Sequence, residues 1–475
     1  MTDYDALDAL GMAALVRARE VAPDHFVAEA RRRAAAVNPA LNAVVHDFAP
    51  MAAPAEGTFA GVPLWLKDTG VAIAGEPITS GTRLHEGLRA PADSTTGARL
   101  RRAGFVFMGR TNTPELALSF TTEGDFHGPC RNPWDLSRTP GGSSGGAAAL
   151  VAAGVAPLTQ ASDGAGSIRV PCAHTGTFGF KPTRLRTPAG PAQAEGMAGM
   201  ATLHGISRSV RDSAALLDAV HGPDIGDPWA CPGSNPAPAG RFLAAVARPP
   251  GRLRIGMQTT GPDGFPLAPE VVAATEEAAR LLADLGHEVE PATPAYDTEA
   301  LRAAWFTVAA VNVARGVKGL AAARGIADPL ALLEPVNADW VRRSAAISGE
   351  DYLGAVQALH ATSRAMGAFF ARHDIYLSPV TAEVAPPLGT LAGAGMGPEQ
   401  FFHRFWSHAP LTAVFNASGC PAMSVPLHWT PAGLPVGIHF GAAQGAEDLL
   451  FSLAGQLEAA RPWAARRPAL ESLAA

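Results

Sequence analysis

The sequence predicts an α/β fold in which strands and helices alternate along the chain. Two stretches carry this prediction, because in each of them short apolar runs are separated by a segment of helical periodicity. The predicted elements are strands over 62–66 and 105–108 around a helix over 94–102, and strands over 253–257 and 287–290 around a helix over 270–285. Strand–helix–strand units of this kind are typical of a sheet that is covered by helices.

Further helices and one further strand are predicted from the spacing of apolar side chains and from residues typical of helix ends. Apolar side chains at helical spacing predict helices within residues 10–36. Ser94 is a suitable N-cap for the helix that follows it, and Gly104 is a suitable end. Residues 147–153 predict a buried helix and residues 155–160 a buried strand, and each adjoins a glycine-rich loop that contains serine.

Composition and charge exclude several classes of protein. The chain has 475 residues, of which 47% are hydrophobic, and a formal net charge of -6, so a large core is feasible. Lys and Arg are spread along the chain and leave no basic patch for nucleic acid or an anionic membrane. No apolar run approaches the roughly 18 residues of a membrane span. The N-terminus carries acidic Asp3 and Asp5 instead of an export signal, which predicts a cytoplasmic protein. The charge and its spread along the chain predict a small, weakly charged or uncharged substrate.

The sequence also lacks the spacings that hold metals and cofactors. The cysteines are far apart and are expected to be buried thiols: Cys130, Cys172, Cys231 and Cys420. The run Gly164-Ala165-Gly166 begins a dinucleotide-binding fingerprint, but Arg169 occupies the position of the third glycine. HExxH, Walker A and paired-carboxylate motifs are absent. We therefore expect no metal and no cofactor.

Two serines and one lysine are the strongest candidates for chemistry. Ser143 and Ser167 each lie in a glycine-rich loop, and Lys67 follows the apolar run at 62–66. A hydroxyl is a poor nucleophile at neutral pH, so a catalytic serine needs a base nearby and NH groups that hold the oxyanion it creates. Glycine-rich loops supply such NH groups without side chains in the way.

The loop around Ser143 permits a second interpretation. Residues 141–145 match the G-x-S-x-G pattern of a nucleophile elbow, which would make Ser143 the nucleophile. That elbow needs a strand directly before it, and residues 131–140 contain two prolines and no apolar run. The local sequence therefore disfavours an elbow.

Lys67 is open to two interpretations as well. The apolar run before it predicts burial, which lowers the pKa of a lysine toward the range of a usable base. The adjacent Asp68 could instead form an ion pair with the amine, which would raise that pKa. The direction of the Asp68 side chain decides between the two.

A set of motifs in fixed order gives the chain a family resemblance. The motifs are Gly61-Val62-Pro63 with Lys67-Asp68, then residues 109–115, 141–146, 163–169 and 179–183, with later segments at 207–212, 415–422 and 433–437. With these motifs the chain resembles the amidase signature family over nearly its whole length. The resemblance implies an α/β/α fold with a large, twisted, mixed β-sheet covered by helices on both faces. It also implies a single domain over residues 1–475, with a catalytic core over about 60–215 and a helical substrate-cleft region over about 295–410.

The resemblance assigns roles to the candidate residues. It implies that Ser167 is the nucleophile, Ser143 the bridging serine on a cis peptide after Gly142, and Lys67 the terminal base. The backbone NH groups of Gly164, Ala165, Gly166 and Ser167 would form the oxyanion hole. The chain departs from the usual family pattern at Ala165, where glycine is more common, and at Ser162, where threonine is more common.

Five further residues are predicted to contact substrate: Gly142, Ser144, Phe120, His127 and Arg169. For two of them a structural role is the favoured alternative, because the Ser144 hydroxyl could bond to backbone and Arg169 could brace its own loop. A lone histidine such as His127 is also more often structural. Segments at 131–134 and 456–468 further resemble the aminohexanoate cyclic dimer hydrolases, the nylon-oligomer amidases of the family.

The resemblance implies hydrolysis of a carbon–nitrogen amide bond through an acyl-enzyme on Ser167. The expected substrate is a small, largely uncharged or apolar amide, linear or cyclic. Two alternatives stay open, namely a carbamate or ester hydrolase with the same mechanism and a catalytically silent binding subunit. Family members often form dimers, so a homodimer is a further expectation.

Overall fold

The computed structural model describes residues 3–231, 233 and 240–469 of the chain. Its strands are β1 Val44–Asp47, β2 Pro63–Lys67, β3 Val106–Thr111, β4 Leu158–Asp163, β5 Phe178–Lys181, β6 Thr202–Ser207, β7 Arg254–Met257, β8 Glu288–Pro291, β9 Ile375–Pro379, β10 Ala422–Trp429 and β11 Pro435–Gly441. Its α-helices are α1 Ala9–Arg17, α2 His25–Leu41, α3 Thr95–Arg102, α4 Gly145–Ala152, α5 Arg169–Thr175, α6 Val210–Val220, α7 Arg241–Val246, α8 Pro269–Asp284, α9 Thr298–Arg324, α10 Pro335–Ser344, α11 Gly349–Phe370, α12 Pro398–His408, α13 Ala413–Ser418 and α14 Glu447–Ala460.

Most strands join one mixed sheet. In the described part of the chain this sheet has eight strands in the order β4-β6-β5-β10-β11-β9-β7-β8. Pairing is antiparallel from β4 to β9, and β7 then pairs in parallel with both β9 and β8. A smaller sheet of three strands has the order β1-β3-β2, with β2 and β3 parallel. The predicted α/β fold with a large mixed sheet is confirmed.

Helices bury apolar side chains against both faces of the large sheet. On one face, α4 and α5 pack over β4 and β6 through a cluster that includes Val151, Ala161 and Ile206. On the other face, α6, α7, α8 and α14 enclose a larger cluster around Phe180 and Phe451. Burial of this apolar area is the main stabilising contribution to the three-layer arrangement.

The elements predicted from the apolar pattern are present with small shifts at their ends. Ser94 caps α3 by accepting a hydrogen bond from the NH of Gly97, as expected from its position. The strand predicted over 155–160 instead begins at Leu158 and continues to Asp163, because its pairing with β6 extends to that residue. The second serine loop therefore starts directly from the edge strand of the sheet.

Two strand ends bring the candidate residues together. Strand β2 ends at Lys67, and β4 carries Gln160, whose side-chain Oε1 accepts a hydrogen bond of 3.1 Å from the Lys67 NH. This bond fixes the end of β2 next to the end of β4. Among the described helices, none has the length and apolarity that crossing a membrane requires. The organisation of the chain as a single domain over residues 1–475 stays a prediction.

Candidate active site

Lys67 is fully buried and points its amine at two serine hydroxyls. The Nζ atom lies 2.7 Å from Ser143 Oγ and 3.1 Å from Ser162 Oγ. The side chain has no exposed surface, since every residue of β2 is buried. The Lys67 amine, at the end of a buried strand, therefore contacts the serine loops while it is shielded from bulk water.

Burial lowers the pKa of Lys67 to about 7, because a charged amine loses its hydration there. The carboxylate of Asp163 opposes this shift without cancelling it. Asp68 does not pair with the lysine: its carboxylate accepts hydrogen bonds from the NH of Thr79 at 2.8 Å and of Gly81 at 3.3 Å. The alternative in which Asp68 keeps Lys67 charged therefore has no support in the geometry.

Ser143 follows a cis peptide bond between Gly142 and Ser143, in the position that the family resemblance implies. Its carbonyl accepts a hydrogen bond of 2.8 Å from Thr113 Oγ1. Only glycine fits at position 142, because a Cβ atom there would lie 2.5 Å from the carbonyl oxygen of Thr121. No strand precedes this loop in residues 131–140, and the partner of the Ser143 hydroxyl is a lysine, so the loop is not a nucleophile elbow.

The loop from 163 to 167 presents its NH groups in a fixed orientation. The carbonyl of Asp163 accepts from Asn416 Nδ2 at 3.0 Å, and the carbonyl of Gly164 accepts from Trp305 Nε1 at 3.0 Å. The carbonyl of Ala165 accepts from Thr412 Oγ1 at 2.6 Å, and that of Gly166 from the NH of Val170 at 2.8 Å. Since a peptide NH points away from its carbonyl, these bonds orient the NH groups of residues 164–167.

Those NH groups are available to a ligand. Across the described residues, no hydrogen bond uses the NH of Gly164, Ala165, Gly166 or Ser167 as a donor. Gly166 has φ +146°, and a Cβ atom there would lie 2.7 Å from Thr412 Oγ1, so glycine is required at this position. Oriented and unused donors of this kind can stabilise an oxyanion.

One expected contact is absent. Ser143 and Ser167 line the same cavity, and the NH of Ser144 donates to the Ser167 carbonyl at 3.3 Å. Within the described residues, however, no hydrogen bond joins the hydroxyls of Ser143 and Ser167. Catalytic hydrogen bonds are often long before substrate binds, so the absence of this contact does not exclude a catalytic role for either serine.

Arg169 lies inside the protein behind the loop. Its guanidinium pairs with Asp163 at 2.9 Å, and it also donates to Asn416 Oδ1 at 2.7 Å and to the Thr412 carbonyl at 2.8 Å. Arg169 has no exposed surface, so its donors are used within the fold. The same pairing holds the pKa of Asp163 well below its usual range, against the effect of burial, which acts to raise it.

A cavity of about 670 Å³ opens in front of these groups. Ser143, Ser162 and Ser167 lie on its wall with Gly164 and Ala165. The rest of the lining is largely apolar and includes Leu116, Leu118, Leu203, Met197, Trp305 and Phe405. Of the aromatic residues in the predicted cleft region, Trp305 and Phe405 thus reach the cavity.

The other predicted contact residues are not on this wall. Phe120 stacks on Phe405 with ring centroids 4.1 Å apart and so supports the wall from behind. The Ser144 hydroxyl donates to the Ser162 carbonyl at 3.2 Å, which agrees with a loop-stabilising role. His127 lies with its Nε2 atom 2.9 Å from Thr79 Oγ1, outside the described cavity lining.

One group of side chains has the composition of a metal site. The donor atoms of His46, Asp68 and His127 lie within 4.8 Å of one another. Both oxygens of Asp68 already accept hydrogen bonds from Thr79. The backbone NH and the hydroxyl of Thr79 thus orient Asp68 away from Lys67, whereas His46 Nε2 has no hydrogen-bond partner among the described residues.

Together, the buried amine, the two serine hydroxyls and the oriented NH groups are the parts that a serine hydrolase with a lysine base requires. Comparison with known proteins identifies the family. Residues 25–451 match the family model described as Amidase. The chain belongs to this family, the amidase signature enzymes, and it is an amidase that hydrolyses carbon–nitrogen amide bonds.

Similarity to individual proteins supports the same family. The 6-aminohexanoate-cyclic-dimer hydrolase of Paenarthrobacter ureafaciens is 37% identical over 482 residues, which covers 98% of this chain and 96% of that protein. A solved structure of a 6-aminohexanoate cyclic dimer hydrolase complexed with substrate has a TM-score of 0.88 and 35% identity, covering 99% of this chain and 100% of that one. A bacterial aryl acylamidase has a TM-score of 0.86 and 27% identity, with 98% of each chain covered. The predicted similarity to the nylon-oligomer amidases is confirmed.

Proposed function

We propose that this amidase cleaves its substrate through an acyl-enzyme on Ser167, with Ser143 and Lys67 as the proton relay. The observation that carries the proposal is the 2.7 Å contact between Lys67 Nζ and Ser143 Oγ in a fully buried environment. An amine with a pKa of about 7 is substantially neutral at neutral pH and can accept a proton.

In the first half of the reaction, Ser167 Oγ attacks the amide carbonyl carbon. Its proton passes to Ser143 Oγ as the Ser143 proton passes to Lys67 Nζ, so the amine becomes an ammonium. The carbon–nitrogen bond then breaks, and the leaving amine takes a proton back along the same route. In the second half, water attacks the acyl carbon, its proton follows the relay, and the acid departs as Ser167 is regenerated.

The negative charge that develops on the carbonyl oxygen would be held by the NH groups of residues 164–167. The support for this role is their fixed orientation and the absence of other acceptors for them among the described residues. The Ala165 methyl group narrows the cavity at this loop without removing an NH donor.

We further propose a small, largely uncharged or apolar linear or cyclic amide as substrate. Apart from the serines, the cavity lining is mainly hydrocarbon and aromatic surface, which favours an apolar chain. The name of the relative from Paenarthrobacter ureafaciens, a 6-aminohexanoate-cyclic-dimer hydrolase, also favours an aliphatic amide.

Covalent labelling tests the proposed nucleophile. A serine-reactive phosphonate incubated with the purified protein should add one mass equivalent, and peptide mapping should locate it at Ser167. The Ser167→Ala variant should remain unlabelled, whereas the Ser137→Ala variant, altered in an exposed loop, should label like the wild type. A label at any other serine would contradict the assignment, and an unlabelled protein would favour the silent binding subunit.

The same preparation separates the amide from its chemical alternatives. An anilide, a urethane and an ester that share one acyl group would be compared by kcat/KM. We expect the anilide to be cleaved, with amine release following the Ser167 label. A urethane or ester cleaved while the anilide stays intact would instead favour a carbamate or ester hydrolase.

Two further expectations concern the cellular location and the oligomeric state of the enzyme. Location in the cytoplasm and assembly as a homodimer stay predictions, the first from the sequence and the second from the family resemblance. Light scattering on the purified chain measures its oligomeric state directly.

A further inference from the structure

The active-site cavity carries a single formal charge on its described lining. Among those residues there is no Asp and no Glu, and Arg315 is the only Arg or Lys. His85 also lines the cavity, but burial lowers its pKa, so it is neutral at pH 7. A ligand that fills the cavity therefore meets one fixed positive charge against otherwise uncharged walls.

Arg315 is exposed and has no ion pair or hydrogen bond with any side chain that the structure describes. Other arginines on or near α9 are engaged: Arg302 pairs with Asp263, and Arg324 donates to the Leu84 carbonyl at 2.7 Å. The guanidinium of Arg315 thus keeps its donors available. A planar guanidinium is well suited to a bidentate contact with a carboxylate.

Helix α9 sets the distance between this charge and the reacting groups. Trp305, near the start of the helix, donates to the Gly164 carbonyl in the oxyanion loop. Arg315 lies ten residues further along, which corresponds to about 15 Å of helix. Asn312, Val313 and Gly316 of the same helix also line the cavity, so the cavity follows α9 between these two points.

The cavity lining as a whole is mainly apolar, with Leu116, Leu203 and Val313 among its residues. A substrate that occupies this length would place an apolar chain in the middle and its far end near Arg315. Low-dielectric walls focus the field of a charge at the mouth of a cavity and so favour ligands of opposite charge.

We propose that Arg315 is a specificity-determining residue that binds a carboxylate at the end of the substrate remote from the scissile amide. The preferred substrates are then linear amides in which an apolar chain ends in a carboxylate. This inference rests on the proposed amide hydrolysis at Ser167, and it adds one carboxylate, at the remote end, to the otherwise uncharged apolar substrate proposed above.

The test uses matched chromogenic anilides whose straight acyl chain ends in a carboxylate, a hydroxyl or an ammonium group. A second set carries the same three end groups on the leaving amine, which shows on which side of the scissile bond the end group is recognised. For the wild type, we expect kcat/KM to be about three- to tenfold higher for the carboxylate than for the hydroxyl in one of the two sets, as is usual for a partly solvated charge pair. The preference should shrink as salt is added.

Variants at Arg315 sharpen the test. Arg315→Gln should abolish the preference for the carboxylate over the hydroxyl compounds through KM, and Arg315→Glu should reverse it in favour of the ammonium compounds. Arg364→Gln, which removes an exposed arginine of α11 outside the described cavity lining, is the matched control and should retain the preference.

The outcomes separate this inference from the proposed function. Equal kcat/KM for the three end groups in both sets, or a carboxylate preference that survives in Arg315→Gln, would overturn the role of Arg315 alone. If none of the anilides is hydrolysed, whatever its end group, the proposed amide hydrolysis fails and this inference fails with it. Because the wild type alone gives the preference and its salt dependence, the test does not depend on the folding of a variant.

Discussion

The protein contains two lysines that are alike in burial and different in surroundings. Lys67, at the end of β2, and Lys181, at the end of β5, have no exposed surface. Burial lowers the pKa of each amine to about 7. By pKa alone, both are candidates for a general base at neutral pH.

The two lysines differ in the atoms that their amines contact. Lys67 Nζ meets the hydroxyls of Ser143 and Ser162, which can donate as well as accept, at the wall of a cavity. Lys181 Nζ donates to the Pro182 carbonyl at 2.7 Å, and that oxygen has no proton to give. A lowered pKa therefore shows that an amine is neutral, whereas the atoms around it determine whether it can take a proton from a reacting group.

Replacing each lysine by methionine is the strongest test of this comparison. Lys67→Met removes the proton acceptor of the relay, so kcat for an anilide should fall by roughly a thousandfold, within the usual contribution of a general base. Lys181→Met keeps the volume and removes one hydrogen bond to a carbonyl. It should leave kcat within about twofold and lower the free energy of unfolding by about 1–3 kcal/mol.

Stopped assays with the anilide and urea denaturation measure these two effects. Circular dichroism on both variants shows whether each is folded. A folded Lys181→Met variant with the same loss of kcat as Lys67→Met would contradict the distinction between the two amines.

Local sequence patterns were sufficient for much of this site. The apolar run before Lys67 predicted its burial, and the glycines around Ser143 and Ser167 predicted loops with accessible NH groups. The alternation of apolar runs and helical segments predicted strands β2, β3, β4, β7 and β8 and helices α1 to α4 and α8, but it did not predict the antiparallel strands β6, β5, β10, β11 and β9 of the large sheet. These features depend on residues that are neighbours along the chain, so periodicity and turn chemistry reveal them.

Contacts between distant segments could not be read in this way. The orientation of Asp68 depends on the NH groups of Thr79 and Gly81, and the loop from 163 to 167 is oriented by Asn416 and Trp305. The sequence did place Trp305 in a helical region that could wall a cleft, but no local pattern joins it to Gly164. Such partners are fixed only when the three layers pack together.

The pH dependence of activity gives a second test of the difference between Lys67 and Lys181, with a smaller expected effect. Only the neutral amine of Lys67 can accept a proton, so kcat/KM should rise about tenfold per pH unit below its pKa and level off above it. The midpoint is expected at about pH 7, the pKa that burial gives to Lys67. Because Lys181 has a similar pKa, the profile of the wild type alone does not assign the titration.

The assignment comes from the same measurement on Lys181→Met. If Lys67 controls the profile, the midpoint stays near pH 7 in this variant. A midpoint that disappears or moves by a full unit would show that Lys181 contributes to the titration, and the two amines would then have to be treated as one system.

The smallest expected effect concerns Ser162, which is the second hydrogen-bond partner of the Lys67 amine and has no counterpart at Lys181 among the described residues. Its hydroxyl lies 3.1 Å from Lys67 Nζ and accepts a hydrogen bond that helps to orient the amine toward Ser143. Ser162→Ala should lower kcat by about three- to tenfold, which corresponds to the loss of one hydrogen bond. The same loss removes an acceptor that favours the charged amine, so the pKa of Lys67 should fall and the pH profile should move to lower pH. Ser162→Thr, which retains the hydroxyl, should restore both kcat and the midpoint. A variant that loses stability without any movement of the pH profile would show that Ser162 supports the fold of β4 and has no influence on the base.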